Sequence, residues 1–501
     1  MKRINPPTLP VKSLPPQGNR LDGRGSSQAG VFYLLLSGLL GTWIPVFYVT
    51  LSSAIPATLA LFLGVVFGGL WLCKRAVEVT GDSRLALLKS FWVLKLYLTL
   101  TLLYLGWIPD LDPATSRAWG YDPQRYYEFA WELLHQGFNP EGLEQNYQGV
   151  LYYYALLFGL LGRNPVIPAL WNSFLTLAAT TLLIRISLFL LNERSKRDWI
   201  LVGLLLIPGL LWHDALTAKE SILGPLLCLP VLLLAGHFKH PGRVSVKAVL
   251  SAWMLVAILV ALARSTLLVP LAISGVLLLL LCPSRSRGRL GIGILVSGII
   301  FFVVAITPWL AGTSGGYEFK FSQVLGETTK TADEKLLEQW SDRSLGKMLL
   351  PNNPVEAVAY LPFRSILMLA IPLPALGFTL EGLRDGSWFD YVAIMSVLDS
   401  VSLLAAFPLV LAGTMLAWRC RRKMPYLMVW PIVFWPLFLA VVGGLTILHE
   451  RYRIVFLTPF YFCAWLGLTR GEPKKNFQLY GLWFGLLSSA YCFYIFYKRM
   501  F

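Results

Sequence analysis

Residues 246–282 read VKAVLSAWMLVAILVALARSTLLVPLAISGVLLLLLC. Two apolar runs, Val246 to Ala263 and Thr266 to Cys282, are separated by a short turn that holds Arg264. Each run is close to the ~20 residues of helix that cross a hydrocarbon core. Basic residues flank the pair on both sides, Lys239, Arg243 and Lys247 before it or at its start and Arg285, Arg287 and Arg289 after it. Cytoplasmic loops are enriched in Lys and Arg, so the pattern predicts an out-and-back helical hairpin with both basic flanks inside and Arg264 on the opposite face. The fold class that follows is an all-α polytopic membrane protein.

The rest of the chain repeats this theme. Of its 501 residues, 56% are hydrophobic and 14% charged, and the mean hydropathy is +0.61. A single soluble globule with that balance has too little polar surface, and the chain is expected to cross a membrane many times. Further apolar runs lie at Val31–Leu51, Ala54–Cys73, Lys89–Ile108, Val166–Leu191, Trp199–Trp212, Glu220–Leu234, Leu290–Ala311, Met395–Trp418, Met424–Leu448, Tyr452–Leu468 and Leu479–Tyr497. Together they predict about thirteen spans. Basic clusters recur on alternate loops: Lys74, Arg75 and Arg84; Arg194, Lys196 and Arg197; and Arg419, Arg421, Arg422 and Lys423, besides the two already named. The alternation holds if Gly149–Gly162 (GVLYYYALLFGLLG) does not cross but lies at the outer interface, where its three consecutive tyrosines are at home. Gly64 and Gly68 make a GxxxG in the second run, which reads as a helix-packing face.

The predicted organisation has four parts. Residues 1–30 are predicted to form a disordered, basic cytoplasmic tail rich in Pro and Gly, without the cleavage site of a signal peptide. Residues 31–311 form an N-terminal transmembrane catalytic module, with a first outer loop at 109–165 containing juxtamembrane helices. Residues 312–394, a charged stretch followed by an apolar one broken by Pro362, Pro372 and Pro374, form a lid, a re-entrant segment or a plain connecting loop. Residues 395–501 supply the C-terminal helices.

Several function classes are disfavoured. The net charge of +16 is spread over inter-span clusters, so it is read as a topology signal and no nucleic-acid partner is expected. The six cysteines stand singly without metal or redox spacing. There is no P-loop, no HExxH and no dinucleotide fingerprint.

Nearly every ionisable candidate for chemistry falls on the predicted outer side. Asp122 precedes Pro123 and opens a helical pattern with Glu128 and Glu132, which predicts an N-cap carboxylate fixed by backbone donors, either as a catalytic base or as an ordinary helix start. Asp110 and Asp112 are rivals for the base. Two residues apart, they also suit a divalent cation such as Mg or Mn, or a solvated turn. Asp214, Lys219 and Glu220 sit close to apolar runs, with Lys219 suited to a phosphate and Glu220 or Asp214 to positioning or proton transfer; a self-satisfied Lys-Glu pair is the alternative. Arg264, Arg451 and Arg453 offer guanidinium groups suited to a phosphate, or snorkel at span ends.

The stretch Asp122-Pro-Gln-Arg125-Tyr-Tyr-Glu128-Phe-Ala130 resembles the DE-x-R-Y-x-E-x-A loop of bacterial aminoarabinose transferases and, more loosely, the first loop of protein O-mannosyltransferases. Asn146-Tyr147-Gln148-Gly149, followed by an aromatic segment and Phe158-Gly159, is similar to the order that follows in that family. His449-Glu450-Arg451-Tyr452-Arg453 resembles the ERYR element near the C-terminal end of many bacterial membrane glycosyltransferases. The Glu-Lys-Pro-Pro of the aminoarabinose transferases is missing, so their acceptor is not implied. The resemblance implies a GT-C-type fold and an inverting transfer from a polyprenyl-phosphate-linked sugar to a lipid-linked or glycan acceptor. Asp122 would be its base, with Arg125, Tyr147 and His449 among the substrate-binding groups. It places the enzyme in the plasma (inner) membrane, N-terminus cytoplasmic and active face outward. Two alternatives stay open: a repeat-unit polymerase or ligase using pyrophosphate-linked oligosaccharide, and a lipid or solute transporter.

Overall fold

The computed structural model describes residues 24–50, 55–80, 87–107, 121–139, 148–190, 198–217, 220–240, 244–264, 267–281, 291–296, 299, 359, 364–366, 368–370, 389–420, 435–436, 453–471 and 473–500. Helices α1 (Arg24–Thr50), α2 (Ile55–Thr80), α3 (Leu87–Trp107), α4 (Tyr121–His135), α5 (Gln148–Leu161) and α6 (Val166–Leu190) are followed by a 3₁₀ segment, Asp198–Leu206. Then come α7 (Pro208–Asp214), α8 (Glu220–Lys239), α9 (Val246–Arg264), α10 (Leu268–Leu281), α11 (Phe389–Arg419), α12 (Ile454–Arg470) and α13 (Pro473–Met500). Among the described residues there is no strand, and six helices are long and apolar enough to cross a membrane: Ala29–Val49, Ile55–Glu78, Leu87–Tyr104, Val166–Phe189, Glu220–Lys239 and Ile394–Arg419. The protein is an all-α, multi-pass membrane protein. Of the remaining runs, Leu290–Ala311 and Met424–Leu448 lie largely outside the described residues, as does most of the lid segment.

One predicted span is not a single helix. In the run Trp199–Trp212 the 3₁₀ segment ends at Leu206, Ile207 is extended at φ −62° and ψ 125°, and α7 starts afresh at Pro208. The cause is local: proline has no N–H for the preceding turn, and its ring pushes the residue before it out of the helical region.

Helix α6 holds the middle of the bundle, packing on α2, α3, α8, the 3₁₀ segment and α7. Its Asn172, Thr176 and Thr180 are buried, as polar residues in a spanning helix must be when neighbouring helices can satisfy them. Aromatic rings close the seam between α1 and α3, with Trp43 against Tyr104 at 5.0 Å and Phe47 edge-on to Phe62 of α2 at 5.3 Å. The packing face expected of Gly64 and Gly68 is displaced. A Cβ on Gly64 would meet nothing within 4 Å, and one on Gly68 only an ordinary contact with Phe174 at 3.7 Å. The tight approach is at Gly69, whose missing side chain makes room for the Trp92 indole, and that ring donates to the Val66 carbonyl at 3.4 Å.

Helix α5 is about 21 Å long at ~1.5 Å per residue, short of a ~30 Å hydrocarbon core. Just beyond its C-terminal end, Asn164 donates to Thr58 at the start of α2 (3.2 Å), and near its N-terminal end Gly149 lies against the backbone of Leu262 in the last turn of α9. It therefore bridges helices that are far apart in sequence.

The most extensive helix pair is α11 with α12. At its crossing Gly413 and Gly467 face each other, and a Cβ on either would run into backbone: Cys463 O for the first, Leu409 O for the second. Backbone cannot move aside as a side chain can. Gly467→Val is therefore expected to destabilise the protein by about 1–3 kcal/mol, the usual range for overpacking. Gly64→Ala, at an open position, should be neutral or slightly stabilising. Thermal unfolding of the detergent-purified protein, followed by intrinsic tryptophan fluorescence, checks the contrast.

Candidate functional site

Among the described residues, two ion pairs lie inside the bundle. Lys95 Nζ is 2.6 Å from Asp214 Oδ2, and both side chains are fully buried. Lys95 occupies the middle of α3, which from Ser90 onward is otherwise made of apolar and hydroxyl residues, whereas Asp214 ends α7. The pair is supported by Ser221, whose hydroxyl donates to Asp214 Oδ1 at 2.7 Å. The second pair joins Arg453 Nε to Asp399 Oδ2 of α11 at 2.6 Å. The same guanidinium donates to Ser400 Oγ at 2.8 Å and to the Ser396 carbonyl at 3.0 Å, so its fork is engaged along one face of α11.

The two pairs meet at α7. Asp399 Oδ1 accepts the backbone N–H of Gly209, 3.1 Å away, in the first turn of α7, while Asp214 at its other end is held by Lys95. A Cβ at position 209 would sit 2.5 Å from Asp399 Oδ1, so only glycine lets the carboxylate come so close. The turn after α7 is fixed as well: Asn172 of α6 donates to the Leu216 carbonyl at 2.7 Å and pairs with the Tyr154 hydroxyl of α5 at 3.3 Å.

Beside this frame is a cavity of about 20 Å³ between α6, α7, α8, α12 and the 3₁₀ segment. Among the described residues, its polar wall includes Glu220, Ser221, Thr176, Thr180 and Thr458. Glu220 is the first residue of α8 and is buried.

The α4–α5 hairpin forms a second polar–aromatic region. Asp122 falls at the start of α4 (Tyr121–His135), where the helix dipole favours a carboxylate. Asp122 and Arg125 are on this helix, but their side chains fall outside the described residues. Tyr127 packs edge-on against Phe158 of α5 at 5.0 Å, and the Arg163 guanidinium stands over the rings of Tyr127 and Trp131, 5.1 and 5.5 Å from their centroids. After α4 the chain turns back through Gly137 and Phe138, both at positive φ (63° and 66°). Phe138 N–H returns to the Leu133 carbonyl at 2.8 Å, and its own carbonyl accepts from Tyr152 at 3.2 Å.

Thus the structure gathers Asp214 and Glu220 around the start of α8 and sets Arg453 across α7 from them. Arg264 is the last residue of α9, its side chain outside the described residues. Asp110, Asp112, Tyr147, Lys219, His449 and Arg451 also lie outside the described residues. Among the described residues no group of three or more His, Cys, Asp and Glu could hold a metal ion. Sequence reasoning missed Lys95 and Asp399, the partners of Asp214 and Arg453. Each is an ionisable residue within an apolar run, and that alone was the available signal.

Removing one member of a buried pair strands the other charge. Lys95→Met is expected to destabilise the protein by about 3–5 kcal/mol, and adding Asp214→Asn should recover a large part of that loss. Melting temperatures of the single and double variants test this. Comparison with known proteins adds no family to this geometry: no family model, no curated protein and no solved structure matches the chain.

Proposed function

We propose that the protein is a membrane glycosyltransferase that moves a sugar from a polyprenyl-phosphate carrier to a lipid-linked or cell-surface glycan on the extracytoplasmic face. The observation that carries this reading is the α4–α5 hairpin. The helix bearing Asp122, Arg125 and Glu128 packs on α5, and α5 in turn reaches the last turn of α9, two residues before Arg264. A carboxylate in the first turn of an amphipathic helix and a guanidinium at a span end are the two charges such a transfer needs. One takes the acceptor proton, and the other receives the departing phosphate.

In this scheme Asp122 deprotonates the acceptor hydroxyl, whose oxygen attacks the anomeric carbon from the face opposite the phosphate. The bond from carbon to phosphate oxygen breaks, the anomeric centre inverts, and Arg264, Arg451 and Lys219 stabilise the phosphate left on the lipid. Asp214 and Arg453 are engaged with Lys95 and Asp399, so their role is to hold the frame. Glu220 is buried at the start of α8 beside a small cavity, and the scheme assigns proton transfer to Asp122. A divalent cation at Asp110 and Asp112 is compatible with the scheme and is not required by it.

A second reading, a lipid or solute transporter, is favoured by one observation. Transporters place broken helices and charged side chains inside the bundle, and here the break at Ile207–Pro208 lies between two buried ion pairs.

The test uses purified protein in lipid nanodiscs with radiolabelled donors. Asp122→Asn is expected to lower sugar transfer from polyprenyl phosphate at least ~100-fold with unchanged folding, as loss of a general base does. Normal turnover in that variant would remove Asp122 as the base. Consumption of only a pyrophosphate-linked oligosaccharide would favour the polymerase or ligase, and uptake or flipping without a covalent product would favour the transporter.

A further inference from the structure

We infer that Arg163 binds the phosphate of a bilayer glycerophospholipid, whose acyl chains lie along the exposed face of α5. The depth of this side chain in the membrane follows from its neighbours. The turn that holds it leads directly into the spanning segment Val166–Phe189, and the adjacent Asn164 donates to Thr58, near the start of the spanning segment Ile55–Glu78. Two spans therefore begin at this level, and the ends of spans are where lipid headgroups lie.

The chain is fixed at this point. Gly162, at φ 89°, closes α5 with its N–H on the Phe158 carbonyl at 2.7 Å, and Asn164 Oδ1 accepts the Val166 N–H at 2.8 Å at the start of α6. Between these two residues Arg163 sets its guanidinium over the rings of Tyr127 and Trp131 of α4. Tyr127 is itself buried against Phe158, so the platform is part of the packed hairpin.

The attraction between a cation and the face of a ring engages the charge and none of the five guanidinium N–H groups. Among the described residues the exposed Arg163 side chain makes no ion pair and no hydrogen bond; the exposed carboxylate of Glu132, next to Trp131 in α4, is not paired with it. A planar cation held in one place with its donor edge uncommitted is suited to a phosphate, which accepts two parallel N–H bonds.

The neighbouring apolar surface selects the source of that phosphate. Leu156 and Leu160 stand one turn apart on α5, 56% and 81% exposed, and Leu160 is three residues before Arg163. A free phosphate gains nothing from two leucines, whereas a glycerophospholipid places its acyl chains on them while its phosphate meets the guanidinium. Because the rings under Arg163 belong to the helix that carries Asp122, such a lipid would also set the depth of that helix at the bilayer surface.

The assignment is independent of sugar transfer and is tested without a sugar donor. The full chain, purified in detergent and stripped of native lipid, is titrated with phosphatidylglycerol, and bound lipid per chain is counted by native mass spectrometry. The expected result is one saturable lipid site in the wild-type chain, weakened about tenfold or more in Arg163→Gln, which loses a charged hydrogen-bonding group. Arg163→Lys, which keeps the charge without the planar fork, should bind more weakly than wild type and more tightly than Arg163→Gln. Leu160→Asn should also weaken the site, and it keeps the test valid if Arg163→Gln fails to fold. Inorganic phosphate and glycerol 3-phosphate should leave the lipid in place. Lipid binding unchanged in both Arg163→Gln and Leu160→Asn, or displacement of the lipid by inorganic phosphate, would overturn the assignment. Displacement by equimolar polyprenyl phosphate would overturn it as well, because the site would then belong to the donor. Loss of sugar transfer in Asp122→Asn would leave it untouched.

Discussion

A charge in a low-dielectric interior must be matched by an opposite charge and by hydrogen bonds, and the core of this protein is arranged around that requirement. Lys95 stands in the middle of an apolar span, where an unmatched ammonium would be prohibitively destabilising. Asp214 reaches it only because the chain breaks at Ile207–Pro208 and re-forms as α7, which ends at that depth. The match of Arg453 with Asp399 works in the same way from the other side. Neither pair is strong evidence of stability in itself, since desolvating two charges offsets much of their attraction. What the pairs provide is position: each fits one arrangement of the helices and misfits others.

Helix α7 is the element that this arrangement serves. A helix of 7 residues is too short to be stable by itself, because nucleation fixes several residues before many hydrogen bonds form. Here it is held at both ends by buried carboxylates, through the Gly209 N–H at the start and through the Asp214 side chain at the finish. The start of α8, with Ser221 and Glu220, is set by the same contacts, since Ser221 bonds Asp214 directly.

The membrane-spanning character and most helix positions were legible in the sequence because a span must satisfy its backbone internally, which imposes a long apolar run whatever the tertiary context. The six helices of spanning length coincide with predicted runs to within a few residues. The break within Trp199–Trp212 was signalled by Pro208, but a proline inside an apolar run is compatible with a continuous helix, as Pro408 in α11 and Pro459 in α12 show. Partners were harder to read than elements. Asp214 and Arg453 drew attention as members of charged clusters beside apolar runs, whereas Lys95 and Asp399, each inside a run, did not. Nothing in one-dimensional spacing joins positions 95 and 214, or 399 and 453. The helix-packing glycines were misread for a related reason: a GxxxG spacing marks a potential face, and only the neighbour decides which glycine is used. The neighbour is Trp92, and it selects Gly69.

The interruptions on either side of α7 also explain a set of polar residues with no obvious purpose in the sequence. Wherever a helix is interrupted inside a membrane protein, freed N–H and C=O groups need partners other than lipid. The Gly209 N–H finds Asp399, the Leu216 carbonyl finds Asn172, and Asn172 in turn holds the Tyr154 hydroxyl of α5. Asn172 therefore links the interrupted element to the short helix on which the Asp122 helix packs. The hairpin that carries the sugar-transfer reading and the charged interior that favours transport are thus not separate features. One hydrogen-bonded path joins them, and any movement of α7 would be felt by α5. A function assigned to either end has to account for the other, which is why a scheme that used Asp122 but left the buried charges without a structural duty would be incomplete.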